Sequence, residues 1–402
     1  MKTHDFPLNK RTINHIFAHA VINIISVMKK LFLLILLFTT SSVLCSFAQD
    51  LPERQESLKA MLKVNDYFMK KYADYTLPSN VRGTKRPSNI WTRGVYYEGL
   101  MALHTIYPKE SFYDYSHDWA EFHKWGFRNG NTTRNADDHC CAQTYIDLYN
   151  LCPKPEKIQN IKICFDMLLN TPQVGDWTWI DAIQMGMPIF AQLGQLTGDQ
   201  RYYDKMWEMY ACSRNTTGGG LYNTKEGLWW RDSDFVPPYK EPNGKNCYWS
   251  RGNGWVYAAL VRVLDKIPAN ETHRKDYLND FIAMSKALKA CQRADGFWNA
   301  SLHDESNYGG KETSGTALFI YGMAWGINAG ILDKNEYLPI LSKAWNAILT
   351  EAIHPNGFLA YVQGTGKEPK DGQPVTYNSI PDFEDYGIGC FLLAGTEVYK
   401  LK

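Results

Sequence analysis

The segment Trp177-Thr-Trp-Ile-Asp-Ala-Ile-Gln-Met-Gly-Met-Pro188 sets Asp181 at the start of an apolar helical run, beside Trp179 and one turn before Met185. A carboxyl held against indoles loses hydration, its pKa rises, and it becomes a usable proton donor. The competing reading is an ordinary acid at a helix start, favoured there by the macrodipole. Asn135-Ala-Asp-Asp-His-Cys-Cys-Ala-Gln-Thr-Tyr145 brings Asp137, Asp138 and His139 to a junction between a loop and a helix. A second carboxylate near Asp181 fits a site where two acids divide the labour. As a helix N-cap, Asp137 is also explained without chemistry.

Trp249-Ser-Arg-Gly-Asn-Gly-Trp255 puts the always-charged guanidinium of Arg251 between Trp249 and Trp255, with glycines that let a ligand approach the backbone. Arginine meets a carboxylate bidentately, and a flat indole suits the apolar face of a sugar ring. The segment reads as a pocket for an acidic sugar, or else as a helix-starting loop around a buried Trp. Arg231 follows Trp229-Trp230, which makes it a candidate ligand contact on an aromatic loop. Glu312 and Thr313 are ordinary helix-start residues, and Tyr386-Gly-Ile-Gly389 fits close helix packing. No Cys-x-x-Cys pair or His/Cys spacing suggests zinc, and Asp137-Asp138-His139 is too small a set to enclose a divalent ion. No metal and no cofactor are expected.

The elements that must position these residues are helical. Apolar periodicity near 3.6 predicts helices at 53–74, 94–106, 110–125, 138–151, 155–169, 180–197, 200–213, 252–266, 272–292, 313–331, 334–352 and 385–400. Strand patterns are weak and short. Glycine-aromatic loops such as Gly220-Leu-Tyr222, Gly227-Leu-Trp229, Gly296-Phe-Trp298 and Gly357-Phe-Leu359 fall between the helices, as if a hairpin repeat carried its functional loops on one rim. No Pro/Ser/Gly linker divides the chain. The expected fold is all-α, with residues 49–402 as a single domain closed into a toroid of six helical hairpins. Two packed helical subdomains are the alternative.

The chain has 402 residues, with 43 Lys+Arg against 42 Asp+Glu, and this balance argues against nucleic acid as the main partner. Its 13 Trp and 25 Tyr are usual for carbohydrate-active proteins, with a large aromatic core as the alternative. Met28-Lys-Lys, an apolar run over Leu31–Phe38 and Ser46-Phe-Ala48 form a secretory signal pattern. Residues 1–27 then read as an over-long start, with Met28 as the initiator. The apolar run is too short for a stable membrane span. Leu44 is bulkier than the residue usual before a lipoprotein cysteine, which disfavours an anchor at Cys45. A periplasmic or secreted protein is expected.

Together these pieces resemble glycoside hydrolase family 105, the unsaturated rhamnogalacturonyl hydrolases, and the related unsaturated glucuronyl hydrolases of family 88. The matching segments are Trp179-Ile-Asp181-x-x-x-Met185-x-x-Pro188, Trp249-Ser-Arg-Gly-Asn-Gly-Trp255, Glu312-Thr-Ser-Gly-Thr316-Ala and Gly387-Ile-Gly-x-Phe-Leu-Leu-Ala394. The resemblance implies an (α/α)6 barrel and a hydrolase of polysaccharide degradation, with pectin among the sources. Its substrate would be an oligosaccharide carrying a 4,5-unsaturated uronic acid at the non-reducing end. Such enzymes hydrate the C4=C5 vinyl ether. On this resemblance Asp181 is the general acid/base, and Asp137 or Asp138 is the second acid. Arg251 and Trp255 contact the sugar, joined by Trp249, Arg231, Trp179, Met185 and His139. One departure stands out: many members carry a His in the loop that here reads Gly227-Leu-Trp-Trp-Arg-Asp232. That loss puts galacturonyl-rhamnose specificity in question. The rivals are an epimerase or saturated glycosidase on the same fold, and a non-catalytic surface glycan-binding protein.

Overall fold

The computed structural model describes residues 28–29, 50–81 and 84–401. Apart from Met28 and Lys29, the expected signal segment and Cys45 lie outside the described residues. Gln49–Lys402 forms a compact unit of its own. Among the described residues no helix is long and apolar enough to cross a membrane.

The first helices are α1 (Arg54–Lys71), α2 (Trp91–Ile106), α3 (Glu110–Phe122), the short α4 (Ala136–His139), α5 (Cys141–Leu151) and α6 (Glu156–Leu169). They are followed by α7 (Asp181–Thr197), α8 (Gln200–Asn215), α9 (Ser250–Lys266) and α10 (Arg274–Ala290). The last are α11 (Thr313–Asn328), α12 (Lys334–Ala347) and α13 (Asp385–Lys400). Helices α2, α4–α5, α7, α9, α11 and α13 pack against one another in turn, and α13 returns to α2. Outside this ring α3 packs on α2, α6 on α5, α8 on α7, α10 on α9, α12 on α11 and α1 on α13. The result is an (α/α)6 barrel of six helical hairpins, closed into one ring rather than split into subdomains.

Burial patterns explain which helix goes where. In α11 every residue from Thr313 to Gly326 is buried, and in α13 every residue from Asp385 to Val398. A helix that is apolar on all sides needs neighbours on all sides. The outer α1 buries one stripe only, through Leu58, Met61, Val64, Asn65 and Phe68. Gly99 of α2 and Gly389 of α13 let two inner helices touch backbone to backbone. A Cβ on Gly99 would stand 2.5 Å from the Gly389 carbonyl oxygen.

The glycine-aromatic loops dock by one device. Gly227, Gly296 and Gly357 have φ of 67°, 95° and 96°, a region open to glycine without strain. A Cβ on each would strike a carbonyl oxygen of an outer helix, at Ala283, Lys343 and Lys63 respectively. Two small antiparallel hairpins complete the loops: β1 (Ser79–Val81) with β2 (Thr84–Arg86), and β3 (Tyr222–Asn223) with β4 (Leu228–Trp229).

Several helix ends shift by one to three residues from the sequence-based expectation, as where α2 begins at Trp91, and two segments differ in kind. The predicted 138–151 helix starts earlier because the Asn135 side chain, not Asp137, caps it by accepting from the Asp137 N–H at 2.9 Å, and it is interrupted at Cys140. The predicted 334–352 helix stops at Ala347 and widens into a π turn over Ile348–Ala352.

Candidate active site

The first turns of three inner helices, α2, α4 and α7, deliver Trp91, Asp137 and Asp181 to one cleft of about 450 Å³. Trp179 and Met185 flank Asp181, and Arg231 enters from the loop after β4. Thr84 and Arg86 come from β2, while Thr365, Gly366, Asp371 and Phe383 come from the long segment before α13.

Backbone pairing explains why Arg231 meets Asp181. The Ile180 N–H donates to the Arg231 carbonyl at 2.9 Å, and Trp179 bridges to Asp232. Stitched together in this way, Arg231 donates through Nε to Asp181 Oδ2 at 3.2 Å and through Nη1 to Asp232 Oδ2 at 2.6 Å. Asp181 is 8% exposed. Burial pushes its carboxyl above the ordinary range, while the charges of Arg231 and Arg251 pull it back. Burial, followed by the neighbouring charge of Asp181, raises Asp137 to about 6. Two such groups titrate as a pair.

The adjacent acid has a different fate. Asp138 is fully buried and accepts from Arg128 Nε at 2.7 Å, Asn129 Nδ2 at 2.9 Å and Thr133 Oγ1 at 2.7 Å. It holds the loop that enters α4 and does not line the cleft. His139, expected at the substrate, is instead buried between Phe127 and Phe165, with Nε2 at 2.9 Å from the Thr133 carbonyl. Burial lowers its pKa and keeps the ring neutral.

Arg251 also departs from expectation. It is 1% exposed and donates from Nη1 to the Gln363 carbonyl at 2.7 Å and from Nη2 to the Gly364 carbonyl at 2.8 Å. Its guanidinium lies over the Trp249 ring, 4.5 Å from the centroid, and over Tyr386 at 5.1 Å. Trp249 donates to the Gln363 side chain at 2.9 Å, and Trp255 packs edge-on to Trp91 at 6.1 Å. Neither Trp249 nor Trp255 lines the cleft, so Trp91 and Trp179 supply its indole surfaces. The Trp249–Trp255 segment anchors the neighbouring chain instead. Gln363 is fully buried, and its amide donates to the carbonyls of Glu368, Pro369 and Asp371. The Gln363 N–H donates to Glu312, which also caps α11. This network shapes the 363–371 loop that carries Thr365, Gly366 and Asp371 to the cleft.

The sequence reading missed Trp91, Arg86 and Asp371. Trp91 shares Asp181's position at the start of an apolar inner helix, and that signal was available. Arg86 sits on a three-residue strand and Asp371 in a loop, neither with a periodicity to mark it. Among the described residues one His/acid group has metal-ligand spacing, His117-Asp118-Glu121 on the outer α3; it contributes nothing to the cleft lining.

Residues 60–402 match the family model for Glycosyl Hydrolase Family 88. A curated relative from Formosa agariphila, named an unsaturated 3S-rhamnoglycuronyl hydrolase, is 32% identical over 332 residues, covering 78% of this chain and 85% of that protein. A solved structure described as a glycosyl hydrolase family 88 protein from Bacteroides vulgatus is 33% identical with a TM-score of 0.78, covering 87% of this chain and all of that one. A family 105 glycoside hydrolase from C. acetobutylicum shares the fold at 19% identity and a TM-score of 0.66, covering 85% of this chain and 99% of that one.

Proposed function

The chain belongs to Glycosyl Hydrolase Family 88 and is a glycoside hydrolase, and from that membership we propose that its cleft removes a 4,5-unsaturated uronic acid from the non-reducing end of lyase-generated oligosaccharides. The observation that carries this reading is the pairing of Asp137 and Asp181 in one indole-walled cleft, both with raised pKa. Such a pair retains a proton at mildly acidic pH, and protonating an electron-rich enol ether needs just that.

In the proposed reaction protonated Asp181 gives its proton to C4 and leaves as a carboxylate. Arg231, already 3.2 Å from Asp181 Oδ2, stabilises the charge that appears on that oxygen. Positive charge develops at C5 and the ring oxygen. Asp181, now a base, takes a proton from water as the water adds to C5. The resulting hemiketal rearranges and releases the next sugar. Asp137, raised to about 6 by burial and by the charge of Asp181, donates a hydrogen bond to the substrate while it is protonated. The indoles of Trp91 and Trp179 hold the faces of the sugar rings.

The name of the Formosa agariphila relative supports a rhamnose-linked uronide as the substrate class. Pectin-derived galacturonyl-rhamnose is the narrower alternative, disfavoured by the Arg231 loop that lacks a His. The Met28–Ala48 pattern supports action in the periplasm or outside the cell. The test is a panel of lyase products, followed by the ultraviolet absorbance of the conjugated alkene. Its loss, with release of the neighbouring sugar, is the expected outcome. An unchanged absorbance across the panel, with hydrolysis of a saturated glycoside, would make the enzyme an ordinary glycosidase instead.

A further inference from the structure

A cleft that takes a uronate needs a cation for its carboxylate, and Arg251, the residue expected to supply it, is spent on two backbone carbonyls. The cleft lining contains two other arginines. Arg231 is held between two carboxylates, Asp181 and Asp232. Arg86 is exposed on β2, where its backbone pairs with Ser79; it lines the cleft, and among the described residues its side chain forms no ion pair or hydrogen bond. Asp371, on the opposite loop, already accepts from the Lys367 N–H at 2.8 Å.

We propose that Arg86 is the specificity-determining residue that pairs with the carboxylate of the unsaturated uronate. This rests on the reading of the cleft given above. A guanidinium offers a planar fork that matches a carboxylate with two parallel hydrogen bonds. Engaging the carboxylate at Arg86 leaves Arg231 with its two protein partners, Asp181 and Asp232. It also ties substrate choice to a short hairpin outside the ring of helices, where a substitution disturbs no core packing.

The experiment compares Arg86→Gln and Arg86→Lys with the unaltered protein, on an unsaturated disaccharide and on its methyl ester. For the free acid, Arg86→Gln should raise KM by at least about tenfold, the scale of one charge-assisted pair, with kcat within about threefold. On the ester, variant and unaltered protein should have the same KM. Arg86→Lys should fall between, since it keeps the charge but not the fork. An unchanged KM on the free acid, or an equal loss on acid and ester, overturns the proposal. If the unaltered protein turns over no unsaturated substrate, the functional reading fails by itself. Quenching of indole fluorescence by glucuronic acid and by its methyl ester then tests Arg86 directly. Acid-selective binding that Arg86→Gln abolishes supports the proposal, and binding indifferent to the substitution overturns it.

Discussion

Asp181 and Asp137 differ in what surrounds them, and the proposed mechanism turns on that difference. Asp181 has Arg231 to receive its negative charge, so it can release a proton and hold the carboxylate. Asp137 has Asp181 as a like-charged neighbour and sits at about 6. Replacing Asp181 by Asn should cut kcat by at least ~100-fold without loss of fold, the scale of a lost general acid; near-normal turnover in the purified variant removes it from the mechanism. For Asp137 the stability effect has a definite sign. Its folded pKa lies above its ordinary value of 3.8, so its contribution is fully present below that value and is lost as pH rises through about 6. Asn mimics the protonated form at every pH. Asp137→Asn should therefore leave stability unchanged near pH 4 and raise it by about 1–2 kcal/mol near pH 7.5, as read by denaturant melts. An equal effect at both pH values would mean that Asp137 is not held protonated by its surroundings.

At the scale of elements, the segment that opens α9 holds a loop that lines the cleft. Arg251, Trp249 and Tyr386 converge on Gln363, and Gln363 in turn gathers the carbonyls of Glu368, Pro369 and Asp371. Buried hydrogen bonds of this kind are costly to leave half-made. Arg251→Lys keeps the charge but loses the fork that spans two carbonyls. It should cost about 1–3 kcal/mol in transition-state binding. The loss should be the same on a free acid and its ester, and proteolytic nicking within 363–371 should increase. A loss confined to the free acid would return Arg251 to the substrate carboxylate.

The whole barrel is tied through its interior as well as around its rim. Glu98 of α2 is fully buried and accepts from Gln184 of α7 at 3.1 Å and from the Cys140 thiol at 3.2 Å, with Arg262 of α9 at 3.9 Å. Burial lifts this carboxyl to about 7 against the pull of Arg262. A raised folded pKa means stability present below the ordinary value of 4.5 and lost as pH climbs through 7. The melting temperature should therefore fall from about pH 5 to about pH 8, and Glu98→Gln should flatten that fall by an amount worth about 2–3 kcal/mol. A slope identical in the variant assigns the pH dependence elsewhere.

The helices were legible in the sequence because both kinds leave a trace, while the closed ring was an expectation beside the alternative of two packed subdomains. Outer helices show one apolar stripe, and inner helices such as Thr313–Asn328 show apolar residues all round. Asp181 was legible for a related reason, since it opens such a run beside an indole. Its neighbours were harder. Asp137 and Asp138 lie about 100° apart around a helix, so the capping residue Asn135 decides which one faces the cleft. Arg251 owes its role to carbonyls 112 and 113 residues further along, and nothing local to Trp249–Trp255 records where that strand of chain will pass. Helix periodicity is a short-range property of the chain. Whether a guanidinium meets a ligand or a backbone is settled only when the ring closes and brings distant loops to the same mouth.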